Sequence, residues 1–198
     1  MKIRHVFAAI LSLVVAVLAS PLIAQTLEEF KELDERFGST QLTEITRLAE
    51  DGDVDAQGVL GLYYSNGIRV PLDKRQAEYW YLKAAEQDHE DAQYNLGQMY
   101  RNGDLGRPDY KAALHWYERA AENGVVYAPS NIAGMYYQGM GVQRSPMLAT
   151  MWMIVARHLG DDRAASNLAA LRREISAADY AHAEKLATKW VDEHASAP

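Results

Sequence analysis

The chain has 198 residues, of which 48% are hydrophobic and 24% are charged, and its formal net charge at pH 7 is −7. This composition is typical of a folded domain rather than of a disordered or fibrous chain. The acidic balance argues against nucleic acid as a partner, because phosphate groups require a basic surface. The sequence contains no cysteine, which excludes disulfide bonds, a thiol nucleophile, a zinc–thiolate site and a lipid-anchored lipoprotein.

Residues 1–24 predict a signal peptide. Lys2 and Arg4 precede a run of thirteen residues without charge (6–18), and the small residue Ala24 comes just before polar, acidic sequence. The alternative is an uncleaved anchor in the inner membrane, since the nineteen residues of 6–24 are just long enough to span a bilayer. Without 1–24, 18 basic residues stand against 27 acidic ones, a net charge of −9. We expect a periplasmic or secreted protein with no integral membrane segment after cleavage.

The segment that follows predicts a helical cap at 25–54. The stretch LEEFKELDERF (27–37) places Phe30, Leu33 and Phe37 on one face of a helix. GSTQ would then form the turn before a second helix at 41–51.

A 36-residue unit is repeated along the rest of the chain. LGLYYSNG at 60–67 reappears as LGQMYRNG at 96–103, and 55–90 aligned on 91–126 without a gap gives fifteen identical positions. A third copy keeps the frame more loosely, and YAPSNIAG (127–134) returns as RAASNLAA (163–170). Tandem repetition at this period predicts an all-α fold, an α/α solenoid. The predicted units are repeats at 55–90, 91–126 and 127–162, followed by a half repeat and a C-terminal capping helix at 163–198.

Each copy predicts two helices. In the first helix, Ala56, Leu60 and Tyr64 form one stripe, and Gly67 follows where a left-handed cap favours glycine. In the second helix, alanine and tryptophan form the buried stripe. The residues expected to cap the second helices are Asp73, Asp109 and Ser145, which are all good N-caps.

These repeats resemble the Sel1-like repeats, relatives of the tetratricopeptide repeats. The resemblance rests on the pattern A-x-x-x-LG-x-x-Y-x-x-G followed by A-x-x-WY-x-x-AA, which is complete in the first two copies. The third copy departs from the pattern at Ala133, Met153 and Arg157. The resemblance implies a right-handed superhelix of antiparallel helix pairs. It also implies an adaptor role, and exported bacterial members are often regulators or assembly factors in the envelope.

The resemblance places the first helix of each repeat on the concave face. The residues of these helices that are not framework are then the expected ligand-facing ones, and they are rich in the Tyr and Arg that dominate recognition sites. Asn and Gln amides can also hold an extended peptide by its backbone. The alternative is that these positions are merely solvated. The predicted binding residues are Tyr94, Gln98, Arg101, Asn102, Tyr127, Ser130, Tyr137, Gln138 and Arg173.

No pattern in the sequence indicates catalysis, a metal site or a cofactor. The loops GDLGRP (103–108) and GMGVQR (139–144) lack the GK[ST] of a phosphate-binding loop. HEDAQ (89–93) lacks the second histidine of a zinc protease helix, and no serine is followed by lysine at the third position. We therefore expect a protein that is not an enzyme and needs no cofactor.

The expected function is that of an exported adaptor or regulator that binds a protein or peptide in the concave groove. Its partner would be a component of the cell envelope, such as a membrane sensor or an assembly component. The alternative is an envelope enzyme or a cell-wall glycan binder on the same scaffold, because tyrosines also stack on sugar rings. An immunity-type inhibitor is a third reading.

Overall fold

The computed structural model describes residues 41–194, which form nine helices and no strand. The predicted signal peptide and the predicted helix at 27–37 lie outside this range. The helices are α1 (41–50), α2 (Val54–Asn66), α3 (Lys74–Ala85), α4 (Glu90–Asn102), α5 (Tyr110–Glu122), α6 (Ala128–Gln138), α7 (Pro146–His158), α8 (Ala164–Leu171) and α9 (Ala177–His194).

The chain divides into two compact units, the first ending at Arg47 and the second beginning at Leu48. In the second unit, α2 packs against α3, α4 against α5, and α6 against α7. Each pair also packs on the next, through α3 with α4, α5 with α6 and α7 with α8, and α9 packs against α7. Neighbouring helices therefore contact each other in chain order, and the predicted all-α solenoid is confirmed.

The predicted caps of the repeat helices are confirmed. The Asp73 carboxylate accepts hydrogen bonds from the backbone N–H groups of Arg75 and Gln76, and Asp109 does the same at the start of α5. Ser145 accepts one from the N–H of Leu148. These acceptors satisfy amide groups that have no partner within the helix. The glycines that end the first helices adopt left-handed backbone, with φ of 67° at Gly67, 75° at Gly103 and 73° at Gly139.

The core is built from small alanines and large rings. The predicted alanine stripe of the second helices is buried, and Trp80, Trp116 and Trp152 lie between the layers with less than a tenth of their surface exposed. Alanine lets two helices approach closely, and tryptophan fills the space that remains. The core alanines of this stripe are Ala77, Ala84, Ala113, Ala120, Ala149 and Ala156.

Two glycines of the first helices are in contact with tyrosine rings of the second helices. A Cβ atom added to Gly61 would lie 2.5 Å from the Tyr81 ring, and one added to Gly97 would lie 2.6 Å from the Tyr117 ring. No side chain fits at such distances. In the third repeat, Ala133 replaces the glycine and Met153 replaces the tyrosine. The two departures from the repeat pattern thus compensate each other, because replacing the tyrosine ring by Met153 leaves room for the methyl group of Ala133.

Buried glutamines connect one repeat to the next. The amide nitrogen of Gln93 donates to the Ala85 carbonyl at 3.1 Å, and its amide oxygen accepts from Asn123 at 2.9 Å. Gln57, one repeat earlier, bonds the Ala49 carbonyl and Gln87 in the same way. A buried amide is costly unless it is hydrogen-bonded, so these contacts fix how one repeat sits on the next. The third repeat has Pro129 at this register and lacks the amide.

The glycine–tyrosine contact can be tested with a double-mutant cycle in the second repeat. Gly97→Ala should destabilise the protein by about 1–3 kcal/mol, because the new methyl group overlaps the Tyr117 ring. Tyr117→Met introduces the residue that the third repeat carries and should remove that overlap. Urea unfolding of both single variants and the double variant should therefore give a coupling of roughly 0.5–3 kcal/mol in favour of the double variant. Additive effects would show that Ala133 and Met153 are unrelated changes.

Candidate functional site

Seven of the nine predicted binding residues lie on the exposed side of α4 and α6. We call the surface formed by these side chains, together with Ser166 and Ala170 of α8, the first-helix face. Tyr127 immediately precedes α6, and Arg173 lies two residues beyond the end of α8. Asn102, Gln138 and Arg173 are exposed, and Gln98 is half-buried.

Tyr94 and Arg101 of α4 are joined by Asn131 of α6. The Arg101 guanidinium donates to the Asn131 side-chain oxygen at 2.7 Å, and the Asn131 amide nitrogen donates to the Tyr94 hydroxyl at 3.2 Å. The same nitrogen lies 3.0 Å from the Tyr127 carbonyl. Asn131 therefore positions two predicted binding residues, although the sequence reasoning did not single it out.

The signal for Asn131 was present in the repeat register. Asn95, Asn131 and Asn167 stand 36 residues apart, one on each of α4, α6 and α8. Asn95 and Asn131 directly follow the predicted binding residues Tyr94 and Ser130. The column is absent from the first copy, where Val59 stands, so the pattern does not run through every repeat.

A buried carboxylate lies beneath Ser130. The Asp161 side chain is completely buried, and its oxygens accept hydrogen bonds from the Ser130 hydroxyl and from the Arg163 guanidinium, the latter at 3.1 and 3.2 Å. Burial opposes ionisation of Asp161, but the hydrogen bonds from Arg163 and Ser130 outweigh it and hold the pKa of this carboxyl below its usual value. The Arg163 guanidinium also lies 4.7 Å from the centre of the Tyr127 ring. Tyr127 and Ser130 are thus tied to the turn between α7 and α8.

Tyr137 belongs to a charged group at the end of α6. Its hydroxyl donates to the Glu174 carboxylate at 2.7 Å, and the Arg144 guanidinium lies 5.2 Å from its ring centre. The hydrogen bond to Glu174 raises the pKa of the Tyr137 hydroxyl. Arg144 also lies 3.8 Å from Glu174. These contacts fix the position of the Tyr137 ring next to Glu174 and Arg144.

The Tyr117 hydroxyl is buried beneath Tyr94 and Arg101. It makes no hydrogen bond of ordinary geometry within the described residues, although the Arg101 guanidinium is close enough to favour its ionised form. Burial has the larger effect and raises the pKa of Tyr117. The Tyr94 and Tyr117 rings are 5.6 Å apart and tilted by 55°, so the two rings fill the space between α4 and α6.

The corresponding space between α6 and α8 is a cavity of about 300 Å³. This volume is at the lower end of the range for pockets that bind small molecules. The cavity is mainly apolar at its base, with polar side chains around its mouth. It is lined by Ser130, Ala133, Gly134, Tyr137, Met153, Asn167, Ala170, Leu171 and Glu174.

Between residues 41 and 194, no cluster of three or more histidine and acidic side chains could hold a metal ion. His89, the histidine of the HEDAQ stretch, caps α4 by accepting a hydrogen bond from the backbone N–H of Ala92. Among these same residues, no helix is long and apolar enough to cross a membrane.

The repeats match the sequence model of the Sel1 repeat at residues 54–89, 90–125 and 130–161. No curated protein matches the chain. Among solved structures, a Sel1 repeat protein from Oxalobacter formigenes is 34% identical over 65% of this chain and 96% of its own length, with a TM-score of 0.58.

Two further solved structures are more distant. One is c5321, a protective antigen of uropathogenic Escherichia coli with an SLR fold, which is 25% identical over 78% of this chain, with a TM-score of 0.53. The match spans only 41% of the length of c5321. The other is the cysteine rich protein B of Helicobacter pylori, which is 20% identical over 64% of this chain and 96% of its own, with a TM-score of 0.51. This likeness shows the fold alone.

The Asp161 network predicts how stability depends on pH. Because the folded pKa of Asp161 is depressed below the usual 3.8, its stabilising effect is fully present above that pH and is lost as the pH falls through the folded value. Asp161→Asn should therefore lower the melting temperature at pH 7, and the difference from wild type should shrink between about pH 4 and pH 2. Circular dichroism melts across this range measure the effect. Asp162→Asn, at the exposed neighbour, is the matched control, and an equal loss in both variants would contradict the assignment.

Proposed function

The chain belongs to the Sel1 repeat family, and we propose that it is an exported adaptor or regulator that binds a segment of a protein partner across the first-helix face. Sel1 repeats commonly mediate protein–protein interactions and are typically non-enzymatic scaffolds. The proposal extends this general role to a particular surface of this chain. Its location in the periplasm or outside the cell rests on the predicted signal peptide, and its partner would then be an envelope protein.

The asparagine column carries the proposal. An extended peptide exposes one N–H and one carbonyl group per residue, and an asparagine side chain has both an acceptor and two donors. In Asn131 these groups already bond Arg101, Tyr94 and the Tyr127 carbonyl, so a bound peptide would replace some of these hydrogen bonds. Asn95, Asn131 and Asn167 recur once per repeat on successive first helices, and the Arg101–Asn131 hydrogen bond joins two of these helices directly. A peptide that crosses these helices would meet one such amide in each repeat.

The surroundings of the column suit a peptide better than a charged polymer. Tyr94, Tyr127 and Tyr137 supply aromatic surface beside Asn131 and Asn167, and such rings contribute much of the free energy of binding at protein interfaces. Arg101 and Arg163 are engaged by Asn131 and Asp161. These partners hold the guanidinium groups in place before a ligand arrives, which lowers the entropy cost of binding.

The test is a selection of peptides from a random displayed library on the full-length protein, followed by affinity measurements with fluorescent peptides. Selected peptides should lose at least tenfold in affinity for Asn131→Ala, because a lost pair of hydrogen bonds is worth about 1–3 kcal/mol. Gln76→Ala, an amide deletion at an exposed position of α3, should bind like the wild type.

Circular dichroism must show that both variants are folded before their affinities are compared. Failure to select any peptide, or equal affinities for Asn131→Ala and Gln76→Ala, would contradict the proposal. Binding of soluble peptidoglycan fragments by the same face would instead support a glycan-binding protein.

A further inference from the structure

We propose that the cavity between α6 and α8 receives a tyrosine side chain of the bound segment. The inference rests on the proposed function, because it names the residue by which a peptide on the first-helix face would be anchored. It is carried by the repeat register, by the shape of the cavity and by the hydrogen-bonding groups at its mouth.

The register shows what has been removed from the third repeat. In the second repeat, the rings of Tyr94 and Tyr117 pack together at 5.6 Å. Thirty-six residues later, Ser130 and Met153 stand at these two positions, and both line the cavity. The third repeat therefore has an opening where the second repeat has two tyrosine rings. A ring from another chain would restore the packing that the second repeat has by itself.

Gly134 keeps this opening accessible. The corresponding residues of the earlier repeats are Leu62 and Gln98, which carry long side chains at this register. A Cβ atom built on Gly134 would meet no other atom within 4 Å. This glycine is thus required neither by a close helix contact nor by a left-handed backbone. Its consequence is an open path from the surface to the apolar base formed by Ala133 and Met153.

The polar atoms at the mouth of the cavity are mainly acceptors. Asp161 is held ionised, and an ionised carboxylate can only accept, so the Ser130 hydroxyl donates its hydrogen to Asp161 and keeps its oxygen lone pairs as acceptors. The Met153 sulfur, 3.7 Å from Ser130, is a weaker acceptor and does not compete with the carboxylate. Likewise, the Tyr137 hydroxyl donates its hydrogen to Glu174 and can only accept from a ligand. These groups are complementary to an apolar ring that carries a hydrogen-bond donor, which describes tyrosine.

A lysine or arginine side chain fits the cavity less well. Its charge would have to leave water for a base of alanine, methionine and leucine side chains. The one carboxylate at the mouth, Glu174, already has the Arg144 guanidinium 3.8 Å away. Phenylalanine would fill the space but would bring no hydrogen-bond donor for Ser130.

The position of the cavity agrees with the proposed peptide path. Asn167, the last member of the asparagine column, lines the cavity beside Ser130. A peptide whose backbone is held at Asn131 and Asn167 would therefore pass directly over the opening. One side chain in that stretch would point into the cavity, because alternate side chains of an extended chain point to opposite sides.

The experiment is a titration of the isotope-labelled full-length protein, followed by two-dimensional NMR of its backbone amides. The probes are N-acetyl-tyrosinamide and, for comparison, the phenylalanine and lysine analogues. We expect saturable shifts from tyrosinamide, centred on Ser130, Gly134 and Asn167, and affinity at least threefold weaker for the phenylalanine analogue. The lysine analogue should cause no saturable shift.

Gly134→Leu is the blocking variant, since the first repeat carries leucine at this register and the site has room for it. It should weaken tyrosinamide binding at least tenfold. Ala181→Leu, at an exposed position of α9, adds a similar side chain away from the cavity and should bind like the wild type. Absence of saturable shifts, equal binding by Gly134→Leu, or a lysine analogue that binds as well as tyrosinamide would overturn the proposal.

The outcome separates this inference from the proposed function. Selected peptides that depend on Asn131 but bind Gly134→Leu as tightly as wild type would refute the tyrosine anchor and leave the adaptor role intact. Tyrosinamide binding that Gly134→Leu abolishes, without any selected peptide, would support the cavity and refute the peptide groove.

Discussion

The close contact between the backbone of a first helix and the tyrosine ring of its paired second helix determines how the two helices pack. Gly61 and Gly97 have no side chain, and so Tyr81 and Tyr117 lie directly on the helix backbone. In the third repeat, the exchange to Ala133 and Met153 keeps the helices packed but replaces the buried ring with a methionine side chain. The cavity between α6 and α8 is a consequence of that exchange together with Ser130 and Gly134.

The elements of this fold could be predicted because each is specified locally and then repeated. Asp73, Asp109 and Ser145 cap their helices through contacts with residues two or three positions away, and Gly67, Gly103 and Gly139 end helices through their own backbone conformation. Such signals can be recognised without knowing which distant residues are in contact. The departures at Ala133 and Met153 could be seen in the sequence as well. That each compensates for the other could not be predicted, since the two residues are twenty positions apart in sequence.

The candidate site was predicted less completely, for a related reason. Surface residues of the first helices could be picked out by helical spacing, and Tyr94, Arg101, Ser130 and Tyr137 do lie on one face. Two of the residues that hold them were missed. Asn131 and Asp161 act across repeats, over 30 to 37 positions of sequence. The cavity could not be foreseen either, because it is defined by side chains that are smaller than their counterparts rather than by any motif.

Photo-crosslinking in living cells tests most directly whether a partner lies along the first-helix face. A photoreactive phenylalanine would be placed at Gln98 or Ala170 on that face, and at Ala181 on α9 as the reference. We expect the two first-helix positions to crosslink to the same protein and the reference position not to crosslink to it. Crosslinking of that protein from Ala181 alone, or equally from all three positions, would contradict it.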